Sequence, residues 1–180
     1  MRKYLLSVLI AIFVSPLAFG DTPDLKSAER VAKSYLKFSF SGDYEDAASL
    51  IDTGSIDQAR ANIIGLRQNA QKDGQTEYLK LMDISYTDDE LRKLSQHDVY
   101  VKVIMKMQVH ALQQSQQGQE LLEGLKSSAD SITIINSKIL QDGNAEVFLQ
   151  FNNPSTHQLD TVHPVLVVKD SEWKVVLGSF

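Results

Sequence analysis

Apolar residues in the first part of the chain recur at helical spacing and predict three helices. The first begins at Leu25 and stops at Gly42. The second follows Asp43 and is expected to close at Thr53-Gly54. The third ends at Asp73-Gly74 and carries its apolar stripe at Ile56, Ala59, Ile63, Leu66 and Ala70.

The segment 98–111 carries two conflicting patterns. Apolar residues occupy every second position, a spacing typical of a strand, at Val99, Val101, Val103, Met105, Met107 and Val109. Polar residues at helical spacing favour a helix instead, and two capping-box patterns, 87–90 and 95–98, precede the segment. We favour the helix. A glutamine-rich connector follows at 113–119, and a further short helix is expected at Glu120–Lys126.

Beyond Ser131 the chain changes to short β-branched and apolar runs separated by turn residues. Four strands are predicted, at Ser131–Leu140, Ala145–Phe151, Thr161–Lys169 and Trp173–Leu177. Asp142-Gly143-Asn144 is a strong hairpin signal between the first two. The predicted helices come first along the chain and the predicted antiparallel strands come last. This order predicts an α+β fold, with N-terminal helices packed on a curved C-terminal sheet.

Residues 1–20 have the pattern of an export signal. Arg2 and Lys3 precede an apolar run at Leu5–Val14, and the small residues Ala18 and Gly20 fit a cleavage site. The apolar run is shorter than the roughly 20 residues that span a bilayer. We therefore predict a signal peptide at 1–20 and a single domain at 21–180.

Charge and cysteine content limit the classes of function. Without its first 20 residues the chain has 16 Lys and Arg against 23 Asp and Glu, a net charge of −7. Such a protein, lacking a basic cluster, has no electrostatic reason to bind nucleic acid or anionic lipid. The absence of cysteine excludes disulfides, thiolate metal sites and a lipid-modified cysteine anchor. A bacterial periplasmic protein without a stable membrane anchor fits best, and secretion stays open.

The order of elements resembles the nuclear transport factor 2-like, or cystatin-like, cone fold of small exported bacterial proteins. The segments that carry the resemblance are the opening helix 28–40 with Ser41–Ala48, the hairpin Asp142–Val147 and the closing Lys169–Val175. The resemblance implies that helices close the concave side of a bent sheet and leave a pocket between them. The fold hosts enzymes, carriers and partner-binding subunits, so it does not fix an activity. The glutamine-rich stretch between Thr87 and Ser128 departs from the usual pattern.

One cluster of side chains has ligand chemistry, at His157, Asp160 and His163. Two imidazoles and a carboxylate are a weak candidate for a metal site or a general base. Alternation along a strand places Asp160 and His163 on opposite faces, and His157 lies in a loop. A solvated hairpin is the favoured interpretation, and no metal, cofactor or catalytic residue is predicted.

A second set of residues is predicted to line a pocket between the helices and the sheet: Tyr35, Met82, Met105, Met107 and Trp173. Core packing is the commoner role for such side chains. Asp83 and Glu146 are the carboxylates that an enzyme of this architecture would use in the pocket. Both are more simply interpreted as exposed charges near the ends of elements.

The sequence therefore predicts an exported, soluble, non-enzymatic binding protein of the bacterial envelope. A protein partner, either another envelope protein or a second copy of the chain, is favoured over a small ligand, because a sheet edge is available while no polar cluster orients a ligand. The alternatives are a carrier of an apolar small molecule or lipid, and a small hydrolase or isomerase with an acid or base in its pocket.

Overall fold

Helix α1 (Leu25–Ser41) packs across the sheet and contacts strands from both of its halves. A computed structural model describes residues 24–74 and 85–179, so the predicted signal peptide lies outside the described residues. Asp24 caps the helix, because its side chain accepts a hydrogen bond of 2.6 Å from the Ser27 amide. Gly42 ends it with a φ of 86°, a conformation that glycine adopts without strain.

Two further helices follow, α2 (Tyr44–Ser49) and α3 (Thr53–Lys72). The prediction that Thr53-Gly54 closes α2 is wrong, since these residues open α3. The reason is Asp52, whose carboxylate accepts a hydrogen bond of 2.9 Å from the Ser55 amide and caps α3. The short connection passes beside the last strand, where Asp52 donates its amide to the carbonyl of Val175 at 2.8 Å.

The capping box at Thr87 is formed and starts helix α4 (Asp88–Lys93). Helix α5 occupies 96–113 and consists of Gln96–Asp98, a π-helical segment at Val99–Met105, and Lys106–Gln113. The helix prediction for 98–111 is confirmed. The buried residues do not alternate; they are Val99, Tyr100, Val103, Ile104 and Met105.

Helix α6 (Gln116–Ser128) is longer than the predicted Glu120–Lys126, and part of the glutamine-rich connector belongs to it. Ser115 caps it by accepting a hydrogen bond of 3.0 Å from the Gly118 amide. Gly118 lies directly against α5: a Cβ atom there would be 1.9 Å from the carbonyl oxygen of Leu112. A 3₁₀ turn at Ala129–Ser131 then leads into the sheet.

The sheet contains five antiparallel strands in the described residues, and not the four predicted. They are β1 (Thr133–Ile139), β2 (Ala145–Asn152), β3 (Leu159–Val162), β4 (Val165–Lys169) and β5 (Glu172–Val175). The predicted strand Thr161–Lys169 is divided at Pro164, which has no amide hydrogen to donate to a sheet. Strand β2 therefore pairs with β1 on one side and with both β3 and β4 on the other.

The inner face of the sheet and the helices share one hydrophobic core. Alternation along β2 buries Ala145, Val147, Leu149 and Phe151, and β5 adds Trp173 and Val175. The helical contribution extends from Ala28 in α1 to Met105 in α5. The predicted α+β class is thus confirmed, while the resemblance to the nuclear transport factor 2-like family stays a prediction.

Candidate functional site

A pocket of about 360 Å³ lies where α1 and α5 meet β3 and the segment after β5. Its apolar lining comes from Leu36, Ile104, Met105, Val162 and Leu177. Its polar lining comes from Tyr35, Ser39, Tyr100 and Gln108, with Gly178 at the edge. None of these side chains carries a charge, so the pocket offers apolar surface and hydroxyl and amide groups only.

Helical spacing places the hydroxyl groups of the pocket side by side. Tyr35 and Ser39 are four residues apart on α1, and Tyr100 faces them from the π-helical segment of α5. Tyr100 is 0% exposed. The Oγ of Ser39 and the hydroxyl oxygen of Tyr100 are buried, and the hydroxyl groups of Tyr35, Ser39 and Tyr100 form a cluster of mutual hydrogen-bonding neighbours.

Burial also keeps both tyrosines of the pocket protonated. Desolvation raises the pKa of Tyr35 above its ordinary value, although Tyr100 and Ser39 lower it by a smaller amount. Desolvation raises the pKa of Tyr100 far above its ordinary value, and the neighbouring Tyr35 adds to this rise. Both phenols are therefore neutral hydroxyl groups, able to donate hydrogen bonds, over the whole physiological pH range.

The structure brings together only some of the residues predicted to line a pocket. Tyr35 and Met105 line the pocket described above. Met107 is partly buried against the core and Met82 lies outside the described residues. Trp173 is elsewhere: it is buried in the hydrophobic core and lines a different groove, beside the start of α1. Its indole Nε1 donates a hydrogen bond of 3.1 Å to the carbonyl of Asp24 and ties β5 to α1.

Sequence reasoning missed Ser39, Ile104 and Gln108 as parts of this pocket. The spacing of Ser39 from Tyr35 was an available signal, since both lie on the face of α1 that bears Ala28, Ala32 and Leu36. The positions on α5 were not readable in the same way, because a π-helical segment changes the spacing of the residues that share a face.

The weak metal candidates are not assembled into a site. The side-chain amide of Asn153 donates a hydrogen bond to the Asp160 carboxylate. His163 instead has its Nδ1 atom 3.0 Å from Oε1 of Glu146. His157 has a φ of 56° in the exposed loop before β3, beside α6. In the described part of the chain, no three His, Cys, Asp or Glu side chains come close enough to share a metal ion.

Glu146 belongs to a polar cluster on the outer face of the sheet, away from the pocket. Lys138 on β1 lies 2.7 Å from the Glu146 carboxylate, and His163 stacks on Phe148 with ring centroids 5.5 Å apart. The Lys138 hydrogen bond is the main cause that lowers the pKa of Glu146, and His163 contributes less. A lowered pKa is the opposite of what a proton-donating pocket acid needs. Asp83, the other candidate, lies outside the described residues.

Strand β1 forms an edge of the sheet and exposes apolar side chains. It pairs with β2 alone among the described strands. Ile134, Ile135 and Ile139 are 37%, 51% and 50% exposed. A bulge between Ile134 and Asn136 adds Ile135 to the strand without a partner on β2.

Within residues 24–74 and 85–179, no helix combines the length and the apolar content needed to cross a membrane.

Comparison with protein family models, curated protein sequences and solved structures finds no match to this chain.

Proposed function

We propose that the protein is exported and acts, without enzymatic chemistry, by binding a protein of the bacterial envelope along the edge of β1, which has no partner among the described strands. The observation that carries the proposal is the exposure of three isoleucines on one edge strand. An edge strand presents unpaired amide and carbonyl groups, so an extended segment of a partner adds to it as a further strand. The pattern of residues 1–20 supports export.

The edge of β1 has little protection against such pairing. Natural edge strands are commonly shielded by outward lysines, by proline or by bulges. Strand β1 has one bulge and one lysine, and that lysine is bound across the sheet to Glu146 at 2.7 Å. The remaining exposed side chains of the strand are apolar or uncharged, which favours a partner strand with apolar residues at alternate positions.

The absence of an enzymatic role is proposed from the placement of the carboxylates. Glu146 lies on the outer face with a lowered pKa, and the pocket lining contains no charged residue. Neutral tyrosines and a serine without an adjacent base are poor nucleophiles.

Site-specific photocrosslinking tests the docking surface. A benzophenone amino acid replaces Ile135 in cells that produce the protein naturally, and the same probe replaces Leu66 as a control. Leu66 is 47% exposed, close to the 51% of Ile135, but lies on α3. We expect one discrete adduct from position 135, none from position 66, and loss of the adduct when Ile134→Lys is added.

The outcome that contradicts the proposal is equal crosslinking from both positions, or an adduct that survives Ile134→Lys. An adduct of twice the mass of the chain would identify a second copy and contradict the envelope partner. Export is tested separately, by sequencing the N-terminus of the protein from fractionated cells. We expect Asp21 as the first residue, and a cytosolic chain beginning at Met1 would contradict export.

A further inference from the structure

We propose that the partner segment that adds to β1 is acidic, and that its carboxylates pair with a row of basic side chains on α1. This row, the basic stripe, consists of Lys26, Arg30, Lys33 and Lys37. The inference rests on the proposed docking at β1 and adds to it the chemistry of the partner.

Helical spacing creates the basic stripe. Its members follow one another at intervals of four, three and four residues, so they share one face of α1. All four side chains are exposed. The expectation that the chain lacks a basic cluster holds along the sequence, where other residues separate the four, but not in the folded helix. The stripe extends over about 16 Å, the length of roughly five residues of a strand.

Two contacts place the basic stripe alongside β1. Glu29, one helical turn from two members of the stripe, accepts a hydrogen bond of 2.5 Å from the Ser137 hydroxyl on β1. Lys37 Nζ lies 2.6 Å from Asp130, in the turn that leads into β1. The order of these contacts shows that α1 and β1 run in opposite directions beside each other. A strand added to β1 lies about 4.8 Å beyond it, where its side chains on the helix side meet the long side chains of the stripe.

Most of the charge of the stripe is not compensated. In residues 24–74 and 85–179, no carboxylate lies at ion-pair distance from Lys26, Arg30 or Lys33. Like charges three or four residues apart on a helix repel each other. Lys26 also lies in the first turn of α1, which has no acidic residue and where the helix dipole disfavours a positive charge. The stripe therefore destabilises α1, and acidic side chains of a partner would relieve the repulsion.

The net charge of the chain favours a short acidic segment over an extended anionic surface. Without its first 20 residues the chain has 16 Lys and Arg against 23 Asp and Glu, a net charge of −7. A membrane or a nucleic acid presents negative charge over an area larger than the stripe and repels the rest of the molecule. An acidic segment meets the stripe alone, while its apolar residues contact the exposed isoleucines of β1.

A photocrosslinking probe at Lys33 tests whether the partner of β1 also covers the stripe. The benzophenone amino acid replaces Lys33 in cells that produce the protein naturally, in parallel with the probe at Ile135, and mass spectrometry identifies each adduct. We expect both positions to capture the same protein. The crosslinked segment should contain at least two Asp or Glu residues within about five positions, the length that the stripe spans.

Charge reversal tests whether the pairing contributes to binding. In an Arg30→Glu/Lys33→Glu variant, the yield of the adduct from Ile135 should fall at least about fivefold, because attraction is replaced by repulsion. The matched control is Lys72→Glu/Lys93→Glu, which makes the same change in net charge at exposed positions of α3 and α4. It should leave the yield within about twofold of the unaltered protein. Each glutamate introduced into the stripe lies four residues from a remaining lysine, so the reversal should not lower the urea midpoint of unfolding.

The outcomes separate this inference from the docking at β1. Absence of a protein adduct at position 135 overturns both. An adduct at position 135 that the stripe reversal does not reduce, or that the control reduces equally, overturns the acidic partner alone. The same conclusion follows if position 33 captures a different protein, a lipid or nothing, or if the crosslinked segment lacks carboxylates. The result at position 33 does not require the reversal variant to fold.

Discussion

At the scale of single residues, the contact between Gly118 and Leu112 sets how closely α5 and α6 approach. A Cβ atom at position 118 would be 1.9 Å from the Leu112 carbonyl oxygen, and backbone atoms cannot move aside without shifting a helix. We expect Gly118→Ala to lower the free energy of unfolding by about 2 kcal/mol or more, as measured by urea denaturation.

Gly65→Ala is the matched control for this substitution. Gly65 lies inside α3 and a Cβ atom there meets no other atom within 4 Å. Alanine is the better helix former, so this variant should gain roughly 0.5–1 kcal/mol. A neutral effect of Gly118→Ala would show that the two helices do not pack as closely as described.

Single residues also show where sequence reasoning stops. Tyr35 and Met105 were predicted to line a pocket, and both lie at the same one. Trp173 was predicted to line the same pocket, yet the antiparallel path of β5 carries it to a groove at the start of α1. Long-range placement of this kind depends on strand order, which no local pattern encodes. The ligand-binding role of these residues stays a prediction.

At the scale of elements, the turn between β4 and β5 contains two residues in a conformation that favours glycine. Asp170 and Ser171 have φ values of 50° and 67°. Two-residue hairpin turns of this kind prefer Asn-Gly or Asp-Gly. We expect Ser171→Gly to raise the free energy of unfolding by roughly 0.5–1 kcal/mol, because left-handed backbone strains a residue that has a Cβ atom.

Ser127→Gly provides the comparison in thermal or urea unfolding. Ser127 is an exposed residue of α6, where glycine is a poorer helix former than serine, and the variant should lose about 0.5 kcal/mol. Destabilisation by Ser171→Gly would mean that the serine makes a contribution beyond its backbone conformation.

The helix and strand predictions differ in success for physical reasons. Capping residues act within one turn, so they are readable from sequence: Ser95 accepts a hydrogen bond from the Asp98 amide at the start of α5 and favours the helix at 98–111. The third predicted strand is divided because Pro164 has no amide hydrogen for the sheet, although it lies within an apolar run. The predicted end of α2 at Thr53-Gly54 is wrong because the Asp52 carboxylate caps α3 at this point, which outweighs the tendency of the following glycine to end a helix.

At the scale of the whole molecule, the helices and the sheet share one core and should unfold together. The chain has a single tryptophan, Trp173, which is 2% exposed. Its indole donates a hydrogen bond to the backbone carbonyl of Asp24 at the start of α1. Its fluorescence therefore reports loss of the contact between β5 and α1, whereas far-ultraviolet circular dichroism reports loss of the helices.

We expect the two urea transitions to coincide, as they do for a single cooperative domain. Separate midpoints would contradict the prediction of one domain at 21–180. A variant such as Tyr44→Phe, which lies outside both the pocket and the Trp173 groove, should leave the coincidence unchanged.

The α+β class was readable from sequence at this scale, because it requires only the order of helical and alternating patterns. The pocket was not readable to the same degree. It depends on how α1 crosses α5, and on a segment after β5 that has no repeating pattern.

The π-helical turns of Val99–Met105 make the register of α5 sensitive to chain length. One added residue widens an α-helix locally into π geometry, and its removal restores the narrower coil. Deleting one position within Val99–Met105 should therefore return this segment to α geometry and leave Lys106–Gln113 facing as it does now. Each residue of an α-helix turns the chain by about 100°, so a deletion at the start of Lys106–Gln113 would instead rotate the residues after it, Gln108 among them, away from the pocket.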